Sequence, residues 1–348
     1  VPSFRTLRVV EELSRRPGLQ RVRLGDGSRA YALTDVVGDV AVGDEVVVNT
    51  TAVELGLGTG GWHVVHWNLA RRELHLPGGG HIVKARYTSV QVDVGAVEER
   101  PGVLDAGRPD LDGLPVLVGS LHSQAGVAAA LLHAVDPQQR VVYVMTDAAA
   151  LPIALSDLMA DLVDRRIVAA TVTAGQAFGG TYEAVSVPSA LQIAREVAGA
   201  DVVVCAMGPG VVGTGTALGT SALEVASIVT AARRLGARPT VIIRASSGDV
   251  RPRHRGISHH TATAFALCDG GFEFVVPPEL EAEARAIADD VVVDEPGDVG
   301  AVLDGLGLRI TTMGRGPVHD PLFFRTVGAA VRRAVTTSDP DDTVGPHD

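Results

Sequence analysis

The chain has 348 residues, a formal net charge of −11, 46% apolar residues, 40 glycines and only 4% aromatics. That apolar share argues against disorder, and the acidity argues against broad nucleic-acid binding. No run approaches the ~18 uninterrupted apolar residues of a membrane span, so neither nucleic acid nor membrane is an expected partner. Val, Ala, Leu and Gly must fill the interior, the profile of an α/β protein with a parallel sheet. The opening VPSFRTLRVVEELSRRPG has no apolar leader core, so a cytoplasmic protein is expected. Cys205 and Cys268 stand in apolar segments without CxxC spacing and read as buried thiols.

In chain order, residues 1–92 read as short strands. RVRLGDGSRAYALT alternates around Gly25-Asp26-Gly27, a hairpin signal, and further short strands follow with glycine punctuation, as in a small barrel. VEERPGVLDAGRPDLDGLP (97–115) is polar, with Pro and Gly, and reads as a linker. Beyond it, PVLVGS, VVYVMTD, IVAATVTAG, DVVVCAMG, PTVIIRAS, FEFVVPP and DVVVDEP alternate with helical stretches at Ser123–Ala134, Ala149–Arg165, Ser189–Ala198, Ser221–Leu235 and Ser258–Leu267. The expected fold class is therefore α/β: a doubly wound, mainly parallel, Rossmann-like sheet preceded by a small all-β, barrel-like domain. The expected divisions are 1–96 for the barrel, 97–114 for the linker, 115–335 for the α/β domain and 336–348 for a disordered tail. A last helix spans Pro321–Val335.

Ligands of such sheets sit outside the carboxyl ends of the strands, and every polar cluster of this chain follows a predicted strand. GSLHSQ offers His122 as a catalytic candidate, with Ser123 as a helix cap. MTDAAALP offers Asp147 as a cap, an orienter of a histidine or a metal ligand, and ASSGDV adds Asp249 in the same roles. AGQAFGGTYEA is a glycine-bearing loop around Gln176 and Glu183. MGPGVVGTGTALGTSALE places Gly208, Gly210, Gly213, Thr214, Gly215 and Thr216 ahead of a helix. Ser221 and Glu224 are spaced as a capping box, and the exposed amides would suit a phosphate or carboxylate. The GxGxxG match is imperfect as a dinucleotide fingerprint. A second glycine run intervenes before the helix, and the next strand ends in Arg244, which would suit a 2′-phosphate.

RPRHRGISHHT is the most basic stretch of an acidic chain. Arg251, Arg253 and Arg255 suit an anion clamp, His254 lies in the loop, and Ser258 is placed to cap a helix whose first turn holds His259 and His260. Adjacent residues on a helix diverge by about 100°, so the pair is not expected to ligate a metal jointly, and no metal is expected. The positive helix end and the arginines favour neutral imidazoles, able to accept a proton or donate to an oxyanion. TTMGRGPVHDPLFF adds Arg315 in a glycine turn and Asp320 as a cap before Pro321.

These stretches together resemble a bacterial family of unknown function found in actinobacteria and firmicutes. The resemblance rests on NTTAVELGLGTGG (49–61), GGHIVKARYTSVQ (79–91), GSLHSQ, GPGVVGTGTALG, RPRHRGISHHT and TMGRG, and covers most of residues 20–325. It brings no activity or cofactor with it. From the residues, the expected function is binding of an anionic, phosphate-bearing or nucleotide-like molecule between the Gly208–Gly219 and Arg251–His260 loops. If the chain is catalytic, the expected chemistry is hydrolysis or group transfer, with His259 or His260 as acid/base. The alternatives are a non-catalytic sensor or assembly protein, homo-oligomeric or using Lys84 and Arg86 of the barrel against a partner, and an NADP-dependent oxidoreductase.

Overall fold

The structure is a computed structural model that describes residues 2–57, 60–76, 78–104, 107 and 109–337. Gly58 and Thr59 of the NTTAVELGLGTGG stretch, part of the expected linker, and residues 338–348 of the expected tail lie outside them. The chain divides into two compact units after Glu99.

In the first unit, β1 (Phe4–Arg16), β2 (Leu19–Leu24), β3 (Arg29–Ala32), β4 (Glu45–Asn49) and β5 (Trp62–Asn68) close a barrel in the order β1-β2-β3-β5-β4. Strand alternation puts Val22, Leu24, Ala30, Ala32, Val46, Val48 and Val65 inside as one apolar core. The short helices α1 (Thr34–Val37) and α2 (Thr51–Glu54) lie in its connections, and a small antiparallel pair follows, β6 (Val83–Lys84) with β7 (Val92–Asp93). Lys84 is buried, which removes it as the exposed partner contact expected from the sequence.

The second unit is built on six parallel strands, β8 (Pro115–Gly119), β9 (Val141–Thr146), β10 (Ala170–Thr173), β11 (Tyr182–Glu183), β12 (Val202–Met207) and β13 (Arg238–Ile242), in the order β11-β10-β9-β12-β8-β13. The central strands are buried along their whole length, as a sheet covered on both faces requires. Leu117, Tyr143, Met145, Val204 and Ala206 share one core with α3 (His122–Val135), α4 (Asp157–Asp164), α9 (Val299–Gly305) and α10 (Pro321–Thr336). The alternate residues Val118, Val144 and Cys205 are also buried and face the other side, where α5 (Val187–Glu196) and α6 (Glu224–Arg234) pack on the strands. The connection from β8 passes to β9 and that from β12 passes to β13, in opposite directions across neighbouring strands. Such a divergence opens a crevice at the strands' carboxyl ends.

Three sequence expectations are corrected here. FEFVVPP and DVVVDEP do not extend the main sheet: β16 (Phe274–Val276) and β17 (Val291–Val293) form a separate two-stranded parallel ribbon beside α8 (Glu281–Arg285). Ser123 does not cap α3; it lies inside the helix, and Gln124 Oε1 reaches back to the amides of Ser120 (2.9 Å) and Leu121 (3.0 Å). Ser221 and Glu224 form no capping box, because Thr220 caps a 3-10 turn at Ser221–Leu223 and Glu224 turns inward to Thr146.

Candidate functional site

Past β13 the chain runs through Arg244 into β14 (Ala245–Ser246), a loop, and β15 (Gly256–Ile257), which pairs back antiparallel on β14. That return sets Ser258 beside Arg244, whose carbonyl accepts from the Ser258 amide at 2.8 Å. Ser258 then caps α7 (His259–Leu267), its Oγ accepting from the His260 amide at 3.3 Å. Both the cap and the first-turn histidines match the sequence reading.

The two histidines do not stay apart. In the first turn no preceding turn restricts the rotamers, and the His259 and His260 ring centroids lie 4.3 Å from each other. His254, delivered by the 3-10 turn Pro252–His254, brings its ring to 5.1 Å from His259 and 4.9 Å from His260. One ring nitrogen from each of the three lies within 4.8 Å of the others. The spacing argument against joint ligation therefore fails on geometry, and these three are the residues that could hold a metal ion.

Electrostatics favours a different occupant. Arg244 is buried, with 6% of its surface exposed, and has no carboxylate within ion-pair reach among the described residues. Burial, helped by the neighbouring Arg251, Arg315 and Arg253 and opposed by the Asp249 charge, lowers its pKa to about 10, so it stays charged at neutral pH. Burial and then the Arg244 charge hold His254 at about 4 and His260 at about 3; His259 is lowered by burial and by Arg253. Two of the neutral imidazoles, His254 and His260, line a cavity of about 90 Å³ with Arg244, Arg251 and Arg253, and the His259 ring packs against both.

Not every arginine is free to bind a ligand. Arg251 is bidentate on Asp249 (2.9 and 2.7 Å) and holds that carboxyl well below the usual range. Arg315 pairs with the fully buried Asp320 at 3.0 Å and reaches Asp249 at 3.7 Å. Asp320 stands at the start of α10, but its carboxylate takes Ser246 Oγ and the Ser247 and Gly248 amides instead of capping the helix. This network braces the loop and engages both Arg251 and Arg315, the expected anion clamps; Arg251 also lines the cavity. Arg255 is exposed and does not line the cavity.

The glycine-rich loop does meet the basic one. A Cβ on Gly213 would stand 3.0 Å from His260 Cε1 and 3.3 Å from Nε2, so the absent side chain permits that approach. Gly208 packs against the Ala150 carbonyl, and Gly210 uses a positive φ of 93°. Thr214, Gly215 and Thr216 form an exposed tip that is closed on itself by Thr214 N–H to the Gly219 carbonyl. α6 starts only at Glu224, so the third glycine of GxGxxG is not at a helix start.

His122 and Asp147 lie elsewhere. His122 is held between Tyr143 OH (3.1 Å) and Ser156 Oγ (2.6 Å), with burial lowering its pKa to about 4. Ser156, not Asp147, caps α4, and Asp147 accepts from the Gln176 amide. Near it, burial and then Asp147 raise Glu224 to about 7, against the opposing hydrogen bond from Thr146. Glu183 is consumed by Thr173 and the Gly179 amide. Arg244 is the residue that sequence reasoning undervalued. Its signal was a lone arginine closing an apolar strand, read there only as a partner for a 2′-phosphate.

Barrel and parallel-sheet units, with an Arg/His cavity at the strands' carboxyl ends, define a two-unit α/β protein with a prebuilt polar cleft. The chain belongs to the family of proteins of unknown function DUF3866, whose model matches residues 29–331. No curated protein and no solved structure gives a significant match. Among the described residues no helix is long and apolar enough to cross a membrane.

Proposed function

We propose that the chain binds a small anionic molecule, phosphate-bearing or nucleotide-like, in the cleft between Gly213 and the loop carrying Arg253 and His254. The observation that carries this reading is Arg244, a buried guanidinium without a carboxylate partner among the described residues. Burying a charge is costly unless it is paired, and an anionic ligand is the pair that this position lacks. Arg253 stands at the mouth of the same cavity and also has no carboxylate partner among the described residues. If the ligand is turned over, hydrolysis or group transfer is the chemistry that fits, with His259 as the acid/base group.

Calorimetric titration of the full chain with orthophosphate and with adenosine monophosphate tests this. Wild type should bind at least one of them, and Arg244→Met should weaken binding about 10- to 100-fold, the equivalent of about 1.5–3 kcal/mol for hydrogen bonds to a charged group. Equal binding by both proteins, or none by wild type, refutes the reading. Mass spectrometry of small molecules co-purifying with the protein would then identify the natural ligand.

A further inference from the structure

Three clustered imidazoles invite a metal ion, but their hydrogen bonds decide which nitrogens carry protons. Arg244 Nη1 lies 2.9 Å from His260 Nδ1. A guanidinium only donates, so that nitrogen must offer its lone pair, and a neutral ring then keeps its proton on Nε2. Thr220 Oγ1 is farther from the same nitrogen, at 3.5 Å, and its own proton goes to the Val212 carbonyl. The second lock is Ser258, whose side chain is fully buried. Its Oγ already accepts from the His260 amide, and the acceptor within reach of its proton, among the described residues, is His254 Nδ1 at 2.8 Å. A buried hydroxyl places its proton where an acceptor exists, so His254 also carries its own proton on Nε2.

His260 is 3% exposed, and its Nε2 is buried without a partner among the described residues. A metal ion would need a lone pair on that atom. Supplying one would move the proton to Nδ1, against the Arg244 N–H. The surrounding charge agrees, since Arg244 and Arg253 repel a divalent cation at close range.

We infer that His254 and His260 are fixed as Nε2–H donors and, together with Arg244, form the binding set for a tetrahedral oxyanion, a phosphoryl or sulfuryl group. His259 is different. Its Nε2 is also buried and unpartnered, and no neighbour among the described residues fixes its tautomer. It is the one ring of the three left to take or give a proton. This assignment rests on the anion reading of the cleft and goes further, naming the shape of the ligand's head group and a separate role for each imidazole.

Two-bond ¹H–¹⁵N correlation spectra of the histidine rings test it on the full chain, with orthophosphate, sulfate, acetate and Zn²⁺ as probes. Both rings should show the Nε2–H tautomer. Orthophosphate and sulfate should shift both Nε2 resonances and bind at least tenfold more tightly than acetate. Zn²⁺ should gain at least tenfold in affinity in Arg244→Met, where His260 Nδ1 is released. Rings protonated at Nδ1, with phosphate binding intact, would overturn the donor assignment alone. Nε2–H rings that ignore both oxyanions would overturn the ligand assignment and the anion reading with it. Stoichiometric Zn²⁺ binding by wild type that is lost in His260→Ala would replace both with a metal site.

Discussion

Two clusters of arginine lie a few residues apart in this fold and behave oppositely. Arg251 and Arg315 are clasped by Asp249 and the buried Asp320. Arg244 and Arg253 have no carboxylate within ion-pair distance among the described residues, and the side chain that meets the Arg244 guanidinium at 2.9 Å is the His260 imidazole. The first cluster is complete without a ligand. The second holds a desolvated positive charge that a ligand would neutralise. A count of basic residues cannot tell a brace from a binding site; what separates them is where the carboxylates of other segments arrive.

The sharpest way to break this comparison is to remove the brace. Asp320→Ala strips the partner from Arg315 and the acceptor from Ser246 and two amides, and should cost about 3–5 kcal/mol in urea unfolding. A loss below about 1 kcal/mol would mean that the network is not a brace. Arg244→Met should do the reverse, leaving unfolding stability unchanged or raised because a buried unpaired charge disappears, while weakening oxyanion binding as stated above. If it destabilises as much as Asp320→Ala, Arg244 belongs with the structural cluster.

Protonation offers a third test. An unfolded histidine titrates near about 6.5, whereas His254 and His260 titrate at about 4 and about 3 in the fold. Between those values the unfolded chain binds protons that the folded one refuses, so this contribution is full above about 6.5 and is lost as pH falls towards 4 and 3. Glu224, raised to about 7, runs the other way: its folded form keeps a proton that the unfolded chain gives up, so its contribution fades as pH rises from about 4.5 to 7. Urea midpoints across pH 4–8 should therefore show a weaker acid limb in His260→Phe and a weaker rising-pH decline in Glu224→Gln. Identical profiles for both variants and wild type would place these groups in ordinary environments. Sulfate, ionised throughout, should bind equally at pH 5.5 and 8, because the two donor histidines, His254 and His260, are neutral across that range. Weakening as pH rises through 6.5 would show protonated imidazoles in the site. The smallest expected effect is Arg255→Ala, an exposed change outside the cavity, within about 0.5 kcal/mol in stability and without effect on binding.

Much of the fold was legible in the chain. Short, β-branched apolar runs such as VVYVM and DVVVCA read as strands covered on both faces and are so in the fold, and the glycine-punctuated alternation of the first hundred residues closes a barrel. Ser258 announced the start of α7, with His259 and His260 in its first turn. The misread caps share one cause. Ser123, Glu224 and Asp320 were assigned to local caps, the nearest available use for a short polar side chain, whereas a buried polar group takes whichever partner the packed chain presents. For Glu224 that is Thr146, and for Asp320 it is Ser246 with Arg315.

By itself, then, the sequence determined the elements, the order of barrel and parallel sheet, and a basic, glycine-rich chemistry at the strand ends, because those follow from periodicity and composition along the chain. Only the tertiary structure decided which arginines are paired, that three histidines meet, and which nitrogens carry their protons. Those outcomes depend on distances between segments far apart in sequence: Asp249 to Arg315, Arg244 to His260 and Gly213 to His260. Electrostatic and hydrogen-bond energies are set by those distances and by burial, and neither is written in local spacing.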